Sequence, residues 1–150
     1  MEDVRDVARW FLSKKNLTHK QLQKLCYYAQ AWHCALYGGD PLFVDEIQAW
    51  VHGPVVVTLY PLYADYGWNE IPQEDFDASH MADDAIDVME AVYNTYGDLS
   101  GGQLEKLTHS EEPWKQARQG LNPWDSGTQV ISCAVMRDYY REKYERAQGE

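Results

Sequence analysis

Across residues 25–105 the sequence contains no lysine and no arginine, although fourteen aspartates and glutamates fall there. A field of that sign repels nucleic-acid phosphates and anionic membrane surfaces and attracts cationic partners. Nucleic acid and membrane are therefore not expected as partners. The flanks differ, with six basic and three acidic residues in 1–24 and seven of each in 106–150, which brings the net charge to −11. One reading is a solvated acidic face that keeps a small protein soluble; the other is an acidic docking surface for a basic protein.

Cysteine is scarce. Cys26, Cys34 and Cys133 are odd in number and form no Cys-x-x-Cys pair, so neither a disulfide framework nor a zinc site is expected, and a reducing compartment fits. No apolar run approaches the roughly 20 residues of a membrane-spanning helix, and the start Met-Glu-Asp-Val-Arg is acidic where a secretory leader would be basic and then apolar. These absences predict a soluble, cytoplasmic protein. His-Glu-x-x-His, a glycine-rich phosphate loop and a serine elbow are also missing, as are repeats, low-complexity tracts and linkers. The 150 residues read as one domain, 1–150, long enough to bury roughly two thirds of the surface its unfolded chain exposes.

What is present is mostly helical periodicity. Val4, Val7, Ala8 and Phe11 share a face of a helix over about Asp3 to Lys14. A second helix opens at Thr18, where Thr18 and Gln21 have the spacing of a capping box, and carries Leu22, Leu25, Ala29, Trp32 and Leu36 to a stop at Gly38-Gly39. Leu42-Phe43-Val44 and Ile47–Val51 are candidate strands of a small ribbon, which Gly53-Pro54 is expected to end. From Pro54 to Tyr66, Val55, Leu59, Leu62 and Tyr66 suggest a helix interrupted at Pro61. An acidic loop over Asn69–Asp77 precedes a helix from about Ser79 to Tyr96 with Ala82, Ile86, Met89, Tyr93 and Tyr96 on its apolar side. Ser100 and Gln103 form a second capping box, Pro113 starts a short turn that Gly120 ends, and a last helix starts near Ser126 or Thr128, with Cys133, Met136, Tyr140 and Tyr144 along one face. The expected class is mainly α: about six or seven helices with a small β element around 42–51.

Chemistry could concentrate at two junctions. Ile47–Val55 delivers Trp50 and His52 to a tight corner at Gly53-Pro54, where unpaired N–H groups at the start of a helix can take a ligand. Leu107–Trp114 brings His109, two hydroxyls and Glu111-Glu112 together, a set a metal or a general base would use. Its structural reading is simpler: Thr108 or Ser110 caps, Glu111 and Glu112 complement a helix start, Pro113 takes an early position, Trp114 anchors, and Lys115 pairs with Glu111. His19, His33 and His80 fit flanks and starts of helices.

With these residues in hand the chain resembles the Panacea antitoxin domain family, which includes SocA-like antitoxins and phage-associated GepA-like proteins. The resemblance rests on Lys24–His33, Pro41-Leu42-Phe43, Ile47–Val55, and Leu107–Trp114 with Ala117-Arg118, and runs from about Thr18 to Tyr140. It implies a mainly helical domain with a small β insertion that binds and neutralises a cognate protein toxin, without an enzymatic role or a cofactor. Some members carry a DNA-binding domain for which these residues leave no room, so autorepression is not expected. The motif positions Trp32, Trp50, Gly53, Pro54, His109, Pro113, Trp114 and Arg118 carry over, whereas His52 stands where the family pattern often has tyrosine. The expected contact residues are Trp50, His52, Gly53, Pro54, His109, Glu112, Trp114 and Arg118, the partner a cognate toxin, basic if the acidic field matters, and a homodimer is compatible with the pattern. Two other readings remain: an adaptor that delivers a bound toxin to a protease, and a metal-dependent hydrolase using His52, His109, Glu111 and Glu112.

Overall fold

A computed structural model describes residues 1–149. Its organising element is α2, His19–Leu36, which the Thr18–Gln21 capping box starts as expected. The stripe read from the sequence understates its burial, because thirteen of its 18 residues are inaccessible, among them the polar His19, Gln23, Lys24 and Gln30. A helix buried on nearly all sides belongs at the centre of a bundle. Around it lie α1 (Val4–Leu12, capped by Asp3), α4 (Asp83–Tyr96), α5 (Gly101–Ser110) and α7 (Cys133–Gly149). The remaining helices, α3 (Tyr60–Tyr63) and α6 (Glu112–Ala117), are short. Leu17–Thr18 (β1) pairs with Glu70–Ile71 (β4), anchoring the acidic loop beside the start of α2.

The ribbon exists but is displaced along the chain. Ile47–Trp50 (β2) pairs antiparallel with Gly53–Val56 (β3), and Val51-His52 forms the turn. Gly53-Pro54 therefore begins the second strand and does not stop the first. Ala49 stands opposite Pro54, and its N–H points away from β3, to Gln129 O at 2.9 Å. In such a non-hydrogen-bonded pair Pro54 is asked for no N–H, so proline is tolerated. β3 takes further bonds from α2: Gln23 accepts the Val56 N–H at 2.8 Å, and Lys24 Nζ donates to Pro54 O at 3.2 Å. These replace the helix expected from Pro54, and only Val57–Leu59, α3 and Ala64–Tyr66 are helical turns. Leu62 and Tyr66, placed on the buried side of that helix by its spacing, are exposed.

Leu42-Phe43-Val44 is not a strand. Gln30 takes the N–H of Leu42 and of Phe43 on one oxygen and donates to Phe43 O, a side-chain substitute for a ladder, while Val44 faces solvent. The last helix starts at Cys133 and not near Ser126, because residues 129–131 run extended along the outer edge of β2. Helix α4 starts at Asp83, and Ala85, Val88, Met89, Val92 and Tyr96 are its buried side, a face rotated from the expected one.

The expectation of no disulfide is also corrected. Cys34 of α2 and Cys133 of α7 are bonded, with Cα atoms 6.0 Å apart and 99 residues between them in sequence. An odd count leaves a pair as readily as none, and the packing of α7 along α2 brings together two residues that spacing could not connect. Cys26 is the free cysteine, and burial pushes its thiol pKa up.

Candidate functional site

The two sequence motifs meet at the hairpin. Trp114 is buried, and its indole N–H donates to Trp50 O at 2.8 Å. Arg118, also buried, donates from Nη1 to Ala49 O at 2.9 Å and from Nη2 to the carbonyls of Asn122 and Asp125. One guanidinium thus ties β2 to the loop that follows α6. From the other side Lys24 reaches up beneath Gly53, which has φ 115° and stands so close that a Cβ there would lie 2.7 Å from Lys24 Cε. Only glycine meets both demands. His109 stacks on Trp114 with ring centroids 3.8 Å apart and 16° between planes, and its Nε2 is buried with no hydrogen-bond partner among the described residues. Burial lowers its pKa.

Between the hairpin, the first turns of α2, the segment 60–68 and the start of α5 lies a cleft of about 660 Å³. Trp50, Tyr60 and Trp68 contribute aromatic surface, and the rings of Trp50 and Tyr60 approach to 4.8 Å. Its polar side chains include His19, Lys20, Gln23, Lys24 and His52, with the hydroxyls of Thr18 and Ser126; no carboxylate belongs to the lining. Lys20 Nζ and His52 Nδ1 share Glu105 Oε1 just outside, at 2.6 and 3.2 Å. Burial opposes the charged form of Glu105, but the hydrogen bonds from Lys20 and His52 outweigh it and hold the carboxyl below its usual range. Burial, reinforced by neighbouring Lys20, lowers Lys24 to about 7 against the pull of Glu105. Burial and then Lys24 lower His19 to about 4, leaving a neutral ring whose Nε2 accepts from Gln23 at 3.0 Å.

The eight candidate residues thus separate by position. Trp50 and His52 line the cleft; Gly53, Pro54, Trp114 and Arg118 are buried beneath them as support; His109 is half-buried against Trp114. Glu112 faces elsewhere, exposed and 3.4 Å from Lys115, in a hollow with Tyr139, Glu142, Lys143 and Arg146. Lys115 therefore pairs with Glu112, not with Glu111. Glu111 is buried, accepting from Tyr28 OH at 2.6 Å, Tyr140 OH at 2.8 Å and Lys143 Nζ at 3.0 Å, a structural junction of α2, α6 and α7. Nor do Thr108 and Ser110 cap α6, since each hydroxyl donates back to a carbonyl three residues earlier in α5. The set His52, His109, Glu111 and Glu112 is dispersed over these three surroundings. Among the described residues no group of three or more His, Cys, Asp or Glu is arranged to hold a metal.

A family profile described as antitoxin SocA-like, Panacea domain matches residues 22–115, which is well over half of the chain. The chain belongs to that family. No curated protein and no solved structure matches it. The matched span of the Panacea domain runs from Leu22 of α2 through the hairpin and α5 into α6, so it holds Lys24, Trp50, Tyr60, Trp68 and the support Trp114, whereas Thr18, His19, Lys20, Ser126 and Gly127 of the cleft and the support Arg118 lie outside it. Among the described residues no helix is long and apolar enough to cross a membrane.

His19, Lys20, Gln23, Tyr60 and Trp68 were not singled out as site residues by the sequence. Lys24 gave no local signal either: it lies off the stripe Leu22–Leu36, on the side where a lysine reads as solvated, and its burial follows from the hairpin that covers that side of α2. No signal connects Trp68 to α2, since that proximity depends on the β1–β4 pairing.

Proposed function

We propose that this protein is an antitoxin that neutralises a cognate protein toxin by direct contact through the surface around the cleft. Membership of the SocA-like antitoxin family over residues 22–115 carries the reading. The surface itself supports it: Tyr60, Leu62, Tyr66 and Trp68 are all exposed within nine residues, with Trp68 at 80%. Clustered exposed aromatics beside a rigid element are what protein interfaces use as anchors. Trp50 and His52 stand at the edge of this cluster on a hairpin held from below by Lys24, Trp114 and Arg118. Contact is expected there, and Glu112 is expected to lie outside it.

The experiment is co-expression with the product of the neighbouring gene. Growth arrest by that product alone, relieved by this chain and accompanied by co-purification of the two, is the expected result. Absence of toxicity, or toxicity that persists beside a folded chain, overturns the reading. In the same cells toxin half-life should be unchanged, because occlusion needs no proteolysis; a shortened half-life would assign the adaptor role instead.

A further inference from the structure

The cleft is built for something other than a flat protein contact. Its volume of about 660 Å³ is that of a small-molecule site. In a chain with 24 acidic residues and a net charge of −11 its lining holds two lysines, two histidines and no carboxylate. Glu105 balances Lys20 from outside the lining, so the uncompensated group is Lys24. That side chain is 2% exposed, belongs to no ion pair among the described residues, and donates a single hydrogen bond, to Pro54 O. An ammonium can donate three. Burying one with a single acceptor is costly, yet the fold commits a glycine at φ 115° to make room for it. Trp50, Tyr60 and Trp68 line the same cleft, the first two with ring centroids 4.8 Å apart and the third with Lys20 Nζ 5.3 Å from its ring centroid. Cationic groups and aromatic faces lining one cleft select a planar ring that carries a negative group.

We propose that the cleft is a binding site for a small aromatic organic anion, its ring lodged among Trp50, Tyr60 and Trp68 and its carboxylate or comparable group placed against Lys24 and Lys20. Two observations carry this independently of toxin neutralisation: the lining without acid and the buried amine that makes one of its three hydrogen bonds. The ligand supplies Lys24 with the acceptors that the protein withholds. It also restores the charge on an amine whose burial has lowered its pKa to about 7, so binding is coupled to proton uptake. The charged and titratable groups around that amine are Lys20 and His19 from α2, Glu105 and His109 from α5, and His52 from the hairpin turn.

A charge series on one ring tests it, using calorimetric titration of the full chain with 1-naphthoate, 1-naphthalenemethanol and 1-naphthylmethylamine. Naphthoate is expected to bind saturably at one site, at least tenfold more tightly than the alcohol, with the amine not binding. At pH 7.5 the naphthoate heat should vary with buffer ionisation enthalpy in the sense of proton uptake, and this variation should vanish in Lys24→Met. Because Lys24 is buried, two further variants guard against a folding artefact: Trp68→Ala, at a residue 80% exposed, should weaken naphthoate at least threefold with an unchanged melting temperature, and Lys20→Met should weaken it at least threefold in a chain that still melts cooperatively. Equal affinity for all three compounds, no saturable binding of naphthoate at millimolar concentration, or full affinity in both Trp68→Ala and Lys20→Met would overturn the proposal. Rescue of growth from the toxin is scored separately, so either reading can fail while the other stands.

Discussion

Gly53 shows how a local signal can be read correctly for composition and wrongly for geometry. Gly-Pro after a β-branched, aromatic run is a stop signal when only the run is considered, but here the glycine's left-handed φ and missing Cβ serve a lysine 29 positions away, which no local rule can weigh. Gly53→Ala is expected to destabilise the fold by about 1–3 kcal/mol through backbone strain, measured as a lower urea midpoint, and Gly53→Ala/Lys24→Ala should recover only the part due to the clash with Cε. His19 supports a pH prediction of known sign. Its pKa, lowered to about 4 from the usual 6.5 by burial and then by Lys24, means that between those values the unfolded chain binds a proton that the native chain refuses. Stability attributable to His19 is complete above pH 6.5 and is lost as pH falls toward 4. The loss is about 2–3 kcal/mol. Lys24, lowered to about 7, loses most of its proton above this window, and the remainder is common to His19→Gln and the natural chain, so the comparison between them isolates His19. Urea unfolding at pH 4.5 and pH 6.5 should show a smaller difference for His19→Gln than for the natural chain, and an equal difference would remove His19 as the cause.

At the scale of elements, the helices with strong capping and periodicity were legible, as α1, α2 and the capping-box start of α5 show. The region 41–66 was not, because its backbone is satisfied by side chains from distant elements: Gln30 for Leu42 and Phe43, Gln23 for Val56, Lys24 for Pro54 and Arg118 for Ala49. Where polar side chains of a buried helix stand in for neighbouring strands, hydrophobic periodicity carries no information about pairing. The same logic makes α6 a clamp on the hairpin, with Trp114 and Arg118 four positions apart donating to successive carbonyls of β2. Arg118→Ala leaves three backbone carbonyls without their donor, and an expected loss of about 2–3 kcal/mol follows. Arg118→Lys should recover only part of it, since an ammonium cannot span acceptors on β2 and on the loop in the fixed fork that a guanidinium offers. Proteolysis should detect the hairpin and residues 122–131 loosening together before global unfolding. Loosening of the loop with an intact hairpin would show that the clamp acts on one side alone.

For the whole molecule, the decisive packing is α7 against α2, and it was the least legible feature. Met136 and Tyr140 could be read as a buried face, but their partner could not. That partner is the side of α2 carrying Tyr27, Tyr28 and Cys34, where Tyr27 OH lies 3.0 Å from Tyr140 OH and Glu111 receives both Tyr28 and Tyr140. The Cys34–Cys133 bond closes the start of α7 onto the same helix. A crosslink spanning 99 residues removes a large share of unfolded-state freedom, with an entropic ceiling of about 4.7 kcal/mol. Reduction is therefore expected to lower stability by up to about 4 kcal/mol without releasing α7, because the tyrosine–Glu111 junction and the ion pair with Lys143 do not depend on sulfur. Urea unfolding with and without dithiothreitol measures the first part, and amide exchange along α7 measures the second. Tyr140→Phe in the reduced protein should then raise exchange across 133–144, since it removes a donor to a buried carboxylate. If reduction alone exposes α7, the disulfide rather than the buried carboxylate holds the helix in place.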